Sequence, residues 1–254
     1  MHTGNFNLST ELIKKIVNCV ADAVGDDILT DIRKNRLKTK NSIPSRIWDL
    51  INTNLIERLE AEDCTIAIAN RGPWDMIIIY EKTTHNIITF MREKRFAQIR
   101  KNQRKRNHMH YVDVFSKYFN HELLASNQQL SILPHHFSDE SQLAELAHKL
   151  LHDLENSTDI VKHHVLVLFD TVGYQLTHIR AVMVTPSLDT ALNCEQDWSK
   201  YIPNTESIIV EQVINPDTPE NQPNRGLSLT SKALERKKNK PQQKTSATET
   251  EAEA

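Results

Sequence analysis

The segment from Pro73 to Phe96 constrains the fold of this chain more than any other part of the sequence. It contains two apolar runs, Met76–Tyr80 and Ile87–Met91, separated by a short polar turn. Short runs rich in β-branched residues and bounded by turn residues predict strands. The segment therefore predicts a buried hairpin, with acidic and basic groups gathered at its open end.

The order of the other patterns predicts a mixed α/β fold. Apolar residues recur at helical spacing in four segments, and short β-branched runs recur elsewhere. The helical segments begin after Ser9, Pro44, His110 and Ser138, and the further strands are Cys64–Ala69, His164–Phe169, Leu176–Thr185 and Ile208–Ile214. We expect N-terminal helices, a central mixed β-sheet of about five or six strands and flanking helices.

The length and the change in composition near residue 216 predict the domain organisation. A chain of 254 residues has enough apolar material for a single mixed α/β domain over residues 1–215, with a sub-boundary near residues 120–138 as an alternative. Residues 216–254 contain few large apolar side chains that could offset the entropy of ordering. They predict a disordered polar tail, which is either a solubilising terminus or a segment that orders on a partner.

Several classes of protein are not favoured by this sequence. No apolar run approaches the ~20 residues of a membrane-spanning helix, and the first residues lack the pattern of a secretory signal, so we expect a cytoplasmic protein without membrane contact. The three cysteines are far apart and are expected to be reduced. With only five glycines, the chain contains no glycine-rich phosphate loop, and no cofactor is expected.

The pairing register of the hairpin decides the chemistry at its open end. With a three-residue loop at residues 83–85, Asp75 lies opposite Glu93, and two carboxylates ~5 Å apart repel each other unless a cation lies between them. That pair, with Arg95 on the same face, would form a divalent-metal site. With a four-residue loop, Asp75 instead lies opposite Lys94 and forms a surface ion pair. The sequence leaves both registers open.

Residues 42–106 resemble the PD-(D/E)xK nuclease-like group, in which a helix precedes a hairpin that carries an aspartate and a later acid-x-lysine triplet. The resemblance implies Mg²⁺ held by Asp75 and Glu93, with Lys94 or Arg95 stabilising the charge that develops in the reaction. The sequence departs from the pattern because Lys94 directly follows Glu93 and Arg95 occupies the place of the lysine. Arginine can hold a phosphate but is a poor proton donor or acceptor.

A second resemblance covers more of the chain. The segments Phe90–Phe96, His164–Phe169 and Asp197–Ile202 together look like an uncharacterised family of bacterial proteins. The resemblance implies a bacterial origin and no particular activity.

A dense basic segment leaves the second strand of the hairpin. Between residues 92 and 106 the only acid is Glu93. On a continuous helix, residues 100 and 104, and likewise 101 and 105, lie four apart and build a cationic face suited to phosphates. The candidate contact residues are Arg92, Arg95, Arg100, Lys101, Arg104, Lys105 and Arg106. Nucleic acid and an acidic partner protein are equally compatible with this face.

These observations lead to two functional hypotheses. The first is a non-catalytic interaction protein that acts through its basic surface and tail, such as the antitoxin or regulatory component of a bacterial toxin–antitoxin or phage-defence module. The alternative is a Mg²⁺-dependent PD-(D/E)xK-like nuclease that hydrolyses nucleic-acid phosphodiester bonds at Asp75 and Glu93.

Overall fold

A six-stranded mixed sheet forms the centre of the molecule. The computed structural model describes residues 6–59, 64–70, 74–106, 108–123, 140–154 and 160–203. The strands lie side by side in chain order, and all neighbours are antiparallel except β3 and β4, which are parallel. They are β1 (Cys64–Asn70), β2 (Asp75–Glu81), β3 (Asn86–Arg92), β4 (His163–Val172), β5 (Gln175–Val184) and β6 (Thr190–Asp197).

Helices precede the sheet and connect its two parallel strands. A π-helical turn, Ala23–Asp27, joins the first two helices, and a 3₁₀ turn, Gln103–Lys105, follows the fourth. The helices are α1 (Thr10–Asp22), α2 (Ile28–Lys34), α3 (Ile43–Leu59), α4 (Glu93–Lys101), α5 (Tyr111–Phe119) and α6 (Glu140–Leu150). Parallel neighbours require a long crossover, and α4, α5 and α6 lie within the one from β3 to β4.

The helices cover both faces of the sheet. Because successive strand residues point to opposite faces, Ile77 and Ile79 pack with α1 and α3, whereas Ile78 and Tyr80 pack with α4, α5 and α6. The two hydrophobic cores are separated by the sheet. The predicted mixed α/β class is therefore confirmed, and the arrangement is a three-layer α/β/α sandwich.

Local signals located most elements correctly. The predicted cap Ser9 accepts a hydrogen bond from the Leu12 N–H at 3.1 Å and begins α1. The predicted edge strand at residues 208–214 lies outside the described residues. The sixth described strand is β6, whose alternation escaped detection because only Ala191 and Cys194 are buried.

Two further predictions concern parts of the chain that the structure does not describe. The tail, residues 216–254, lies outside the described residues, and so do residues 124–138 of the sub-boundary. In the described ranges, no helix combines the length and apolar character needed to cross a membrane.

The register of the hairpin differs from both predicted alternatives. The loop has four residues, Lys82–His85, and Glu81 pairs with Asn86. Pairing of β2 with β3 covers only three residue pairs, whereas β2 pairs with β1, and β3 with β4, over seven each. Asp75 consequently pairs with Asn70 of β1, and lies opposite neither Glu93 nor Lys94.

Side-chain contacts in the loop explain this register. The Glu81 carboxylate accepts hydrogen bonds from the backbone N–H of Thr83 at 2.9 Å and of Thr84 at 2.7 Å. His85 adopts a positive φ of 61°, and its Nδ1 lies 2.7 Å from the Tyr80 hydroxyl. These contacts close the hairpin at its loop end, while the opposite ends of β2 and β3 remain apart.

Candidate functional site

A cleft opens where β2 and β3 diverge. It encloses about 410 Å³, within the range of roughly 300–1,000 Å³ typical of small-molecule pockets. Its walls come from both helical layers, because the sheet is interrupted between the two strands. The β2–β3 cleft is lined by Pro44, Trp48, Asn52, Trp74, Asp75, Met76, Ile77, Phe90, Met91, Arg95, His110 and Tyr111.

One wall of the β2–β3 cleft is a single face of α3. Pro44, Trp48 and Asn52 are spaced four residues apart, so they lie above one another along the helix. The adjacent stripe of α3, which includes Ile51 and Leu55, is fully buried in the core. Because that stripe anchors α3 to the sheet, the cleft-facing side chains rest on a fixed support.

The start of α5 forms another wall. The His110 imidazole accepts a hydrogen bond from the Val112 N–H at 3.4 Å, and the Asp113 carboxylate accepts one from the His110 N–H at 2.8 Å. This reciprocal capping box fixes the helix start and the His110 ring, whose centroid lies 4.6 Å from that of Tyr111. The Tyr111 hydroxyl donates to the Phe90 carbonyl at 3.1 Å and satisfies that buried backbone group.

Two charged residues and an exposed indole also line the β2–β3 cleft. Asp75 is exposed, and its Oδ1 accepts a hydrogen bond from Asn70 at 2.8 Å. Arg95 is exposed as well, and its guanidinium lies 3.5 Å from the Gln98 side-chain oxygen. Trp74 is 54% exposed, which is unusual for so large an apolar side chain. The cleft thus combines aromatic walls with one acid and one cation.

The structure does not bring Glu93 to the same lining as Asp75. Glu93 begins α4 and accepts two hydrogen bonds from Arg180 of β5, at 3.1 Å and 2.5 Å. Arg180 also donates to Glu195 at 2.6 Å. Burial by itself would lower the pKa of Arg180, but the hydrogen bonds with Glu93 and Glu195 outweigh it and raise that pKa. Glu93 therefore anchors α4 to the sheet, and these contacts do not favour a shared metal site.

Among the described residues, no three His, Cys, Asp or Glu side chains are grouped so that they could together hold a metal ion. Lys94, the proposed catalytic lysine of the nuclease resemblance, is exposed on the first turn of α4.

Three arginines of the basic segment have partners elsewhere in the fold. Arg92 donates to Thr171 at 2.9 Å and lies over the Phe169 ring, and burial lowers its pKa. Arg100 pairs with Asp189 of the loop before β6. The Arg106 guanidinium pairs with the buried Asp113 at 2.7 Å. These three predicted contact residues have structural partners.

Five other cations of the segment point to solvent. The predicted continuous helical face does not form, because α4 ends at Lys101 and a 3₁₀ turn follows. On α4 itself, Lys94 and Lys101 are seven residues apart and lie on the same side of the helix. Arg100 is also exposed but is paired with Asp189. The remaining exposed cations are Lys94, Arg95, Lys101, Arg104 and Lys105, and we call this set the α4 basic surface.

Sequence reasoning missed the aromatic part of the site. In the sequence, Trp74 follows a Gly-Pro pair and directly precedes β2, and a tryptophan beside such residues is a recognisable signal. Trp48 was assigned to the apolar stripe of α3, where its ring does pack edge-on against Phe169 at 5.5 Å between centroids. Its membership of the cleft depends on the divergence of β2 and β3, which the sequence did not reveal.

Comparisons with known proteins place the chain in a family and go no further. A family model described as "Family of unknown function (DUF5986)" matches residues 5–248. No curated protein and no solved structure matches the chain.

Proposed function

We propose that this protein, a member of the DUF5986 family of unknown function, is a non-catalytic nucleic-acid-binding protein. It would act through the α4 basic surface. The observation that carries the proposal is the group of five exposed cations on one helix and the turn after it. Each of them is available to phosphate oxygens, unlike the three arginines that the fold uses.

The charge of this surface is not cancelled by acids of the same segment. Its single acid, Glu93, is paired with Arg180 of β5. A compact group of exposed cations attracts a polyanion from a distance and releases its counterions on contact. Binding by such a surface is strongly salt-dependent and largely independent of base sequence.

The neighbouring β2–β3 cleft favours nucleic acid over an acidic protein as the partner. Arg95 belongs both to the α4 basic surface and to the cleft lining. Aromatic side chains beside a cationic track are the usual combination for single-stranded nucleic acid, because bases stack on rings while cations contact the backbone. An acidic protein would need the cations but not the aromatic cavity.

A bacterial two-component module is the biological setting that we propose. A neutralising or regulatory role in a bacterial two-component module, such as a toxin–antitoxin or phage-defence pair, requires a protein partner as well as nucleic acid. Co-purification of the full chain from its native host, with and without nuclease treatment, distinguishes direct protein partners from nucleic-acid-bridged ones.

The proposal is tested by measuring binding of a fluorescent oligonucleotide by anisotropy between 50 and 200 mM salt. The test variant removes three exposed cations of the α4 basic surface, as Lys101→Gln/Arg104→Gln/Lys105→Gln. Each lost phosphate contact should reduce the slope of log K against log salt by about 0.7 for a single strand, so three contacts reduce it by about 2. Affinity at low salt should fall at least about tenfold.

The matched control removes the same charge elsewhere, as Lys149→Gln/Lys162→Gln/Lys200→Gln, three exposed lysines outside the α4 basic surface. Equal losses in both triple variants would overturn the assignment of this surface. Absence of salt-dependent binding in the wild type would overturn the nucleic-acid proposal. Mg²⁺-dependent cleavage that disappears in Asp75→Ala would instead support the nuclease alternative.

A further inference from the structure

We infer that the β2–β3 cleft is a pocket for one unpaired base of a single-stranded nucleic acid, with Trp74 as the stacking platform and Asp75 as the group that reads the base edge. The inference rests on the proposed function, and it adds the class of nucleic acid and a base preference.

The dimensions and walls of the cleft fit a flat aromatic ligand. A cavity of about 410 Å³ has room for a base with its sugar. Its walls carry two indoles, a phenyl, a phenol and an imidazole, belonging to Trp48, Trp74, Phe90, Tyr111 and His110. Every base has a π-face, so such walls bind bases in general and supply affinity rather than a strict sequence.

Trp74 is much more exposed than the other two tryptophans of the chain. Of the three tryptophans, Trp198 is 1% exposed and Trp48 is partly buried, whereas Trp74 is 54% exposed. Leaving an indole in water forfeits the stabilisation that its burial would provide. Stacking on a base would cover that ring, and a base is a ligand that the adjacent cations already attract.

The polar groups of the cleft would orient a bound base through hydrogen bonds. One Asp75 oxygen accepts a hydrogen bond from Asn70 at 2.8 Å, and the carboxylate has further lone pairs for a ligand. A carboxylate accepts hydrogen bonds from the exocyclic amino groups of adenine, cytosine and guanine, whereas thymine and uracil offer it only one N3–H between two carbonyl oxygens that repel it. Arg95, on the α4 side, is placed to contact a flanking phosphate.

The geometry also selects single strands over duplexes. In a duplex the base faces are stacked and the pairing edges are occupied, so no base could enter the cleft without being extruded. An unpaired base carries no such cost. The α4 basic surface alone would bind both forms, and the cleft should add affinity for the single strand only.

The experiment titrates the full chain with single-stranded 12-mers of adenine, cytosine or thymine and with a 12-base-pair duplex. Intrinsic tryptophan fluorescence and anisotropy are both recorded, and matching RNA strands show whether the sugar matters. We expect the single strands to quench the exposed indole and the duplex to leave it largely unchanged. Trp74→Ala should weaken single-strand binding about 5- to 100-fold and leave duplex binding and the salt slope unchanged.

The matched control is Leu192→Ala, because Leu192 is also 54% exposed but lies on β6, outside the cleft. A second variant, Trp74→Phe, retains an aromatic face and should keep most of the affinity, which separates stacking from folding. Thermal melts of each variant report the fold. Equal effects of Trp74→Ala and Leu192→Ala would overturn the inference.

Base preference is tested with Asp75→Asn against Asp26→Asn, an exposed acid that does not line the cleft. Both variants remove one negative charge, and the loss of charge alone should change the binding of adenine, cytosine and thymine strands to the same extent. Only Asp75→Asn should reduce the preference for adenine and cytosine strands over thymine strands, by about 5- to 100-fold. An unchanged preference would overturn the role of Asp75.

Different binding results would overturn the base pocket and the proposed function. If the triple variant of the α4 basic surface weakens binding while Trp74→Ala has no effect, the protein binds nucleic acid without this pocket. If no oligonucleotide binds, both are overturned.

Discussion

A single histidine is expected to make the stability of the molecule dependent on pH. His164 of β4 is completely buried, its Nε2 lies 2.7 Å from the Thr89 hydroxyl, and burial lowers its pKa from 6.5 to about 3. The unfolded chain therefore binds a proton below about pH 6.5 that the folded chain does not. The contribution of His164 to stability is complete above pH 6.5 and decreases as the pH falls towards 3.

The measurement is the free energy of unfolding by urea at pH 7 and pH 5. For one such histidine, linkage predicts a loss of about 2 kcal/mol across this interval. In His164→Gln the decrease should be smaller by about that amount, whatever the absolute stability of the variant. His108→Gln, at an exposed position, serves as the control and should follow the wild type. If His164→Gln shows the same pH dependence as the wild type, the buried imidazole is not the group responsible.

Among the elements, the short β2–β3 hairpin is one whose stability depends on a few contacts. Its strands share three residue pairs, and Glu81 joins them to the loop through hydrogen bonds from Thr83 and Thr84. Burial alone would raise the pKa of Glu81, but the hydrogen bonds from Thr84 and Thr83 outweigh it and the pKa is lowered. The carboxylate is therefore kept ionised, and its stabilising effect is lost only as the pH falls below about 4.5.

Replacing this carboxylate should destabilise the protein. Glu81→Ala leaves the loop N–H groups without their partner, and we expect the free energy of unfolding to fall by about 1–3 kcal/mol at pH 7. Chemical denaturation measures it, with Lys82→Ala as the neighbouring exposed control. A loss in Glu81→Ala no larger than in Lys82→Ala would contradict the proposed role of the loop contacts.

The same hairpin shows where sequence reasoning succeeds and where it stops. Local patterns suffice for β2, β3 and α1, because β-branched runs and the Ser9 cap act within a few residues. The divergence of the two strands follows from pairing of β3 with β4, whose first residue, His163, is far away in the chain. No pattern inside residues 73–96 records that parallel partner, so the cleft could not be predicted.

The sequence predicts the charge of the basic segment but not which of its charged side chains have distant partners. Arg100 pairs with Asp189 and Glu93 with Arg180, and these partners are 89 and 87 positions apart in the sequence. Counting charges identified the segment correctly as a cationic one. Only the fold distinguishes arginines that pair with distant side chains from the exposed lysines and arginines of the α4 basic surface.

At the scale of the whole molecule, the described core residues belong to one compact unit. Every described core residue lies between Phe6 and Trp198, and residues 1–204 form one compact unit. A chain ending at Asn204 should therefore keep its melting temperature within about 2 °C of the full chain. The same truncation removes the basic block of the predicted tail, Lys232–Lys244.

We expect truncation at Asn204 to separate two sources of nucleic-acid affinity. If the tail orders on the polyanion, its loss lowers the slope of log K against log salt by about 0.7 for each lysine or arginine contact removed. Preference for single strands should persist, because the β2–β3 cleft remains intact in the shorter chain. An unchanged slope would assign the tail a solubilising role. A melting temperature lowered by more than about 5 °C would show that residues after Asn204 belong to the fold.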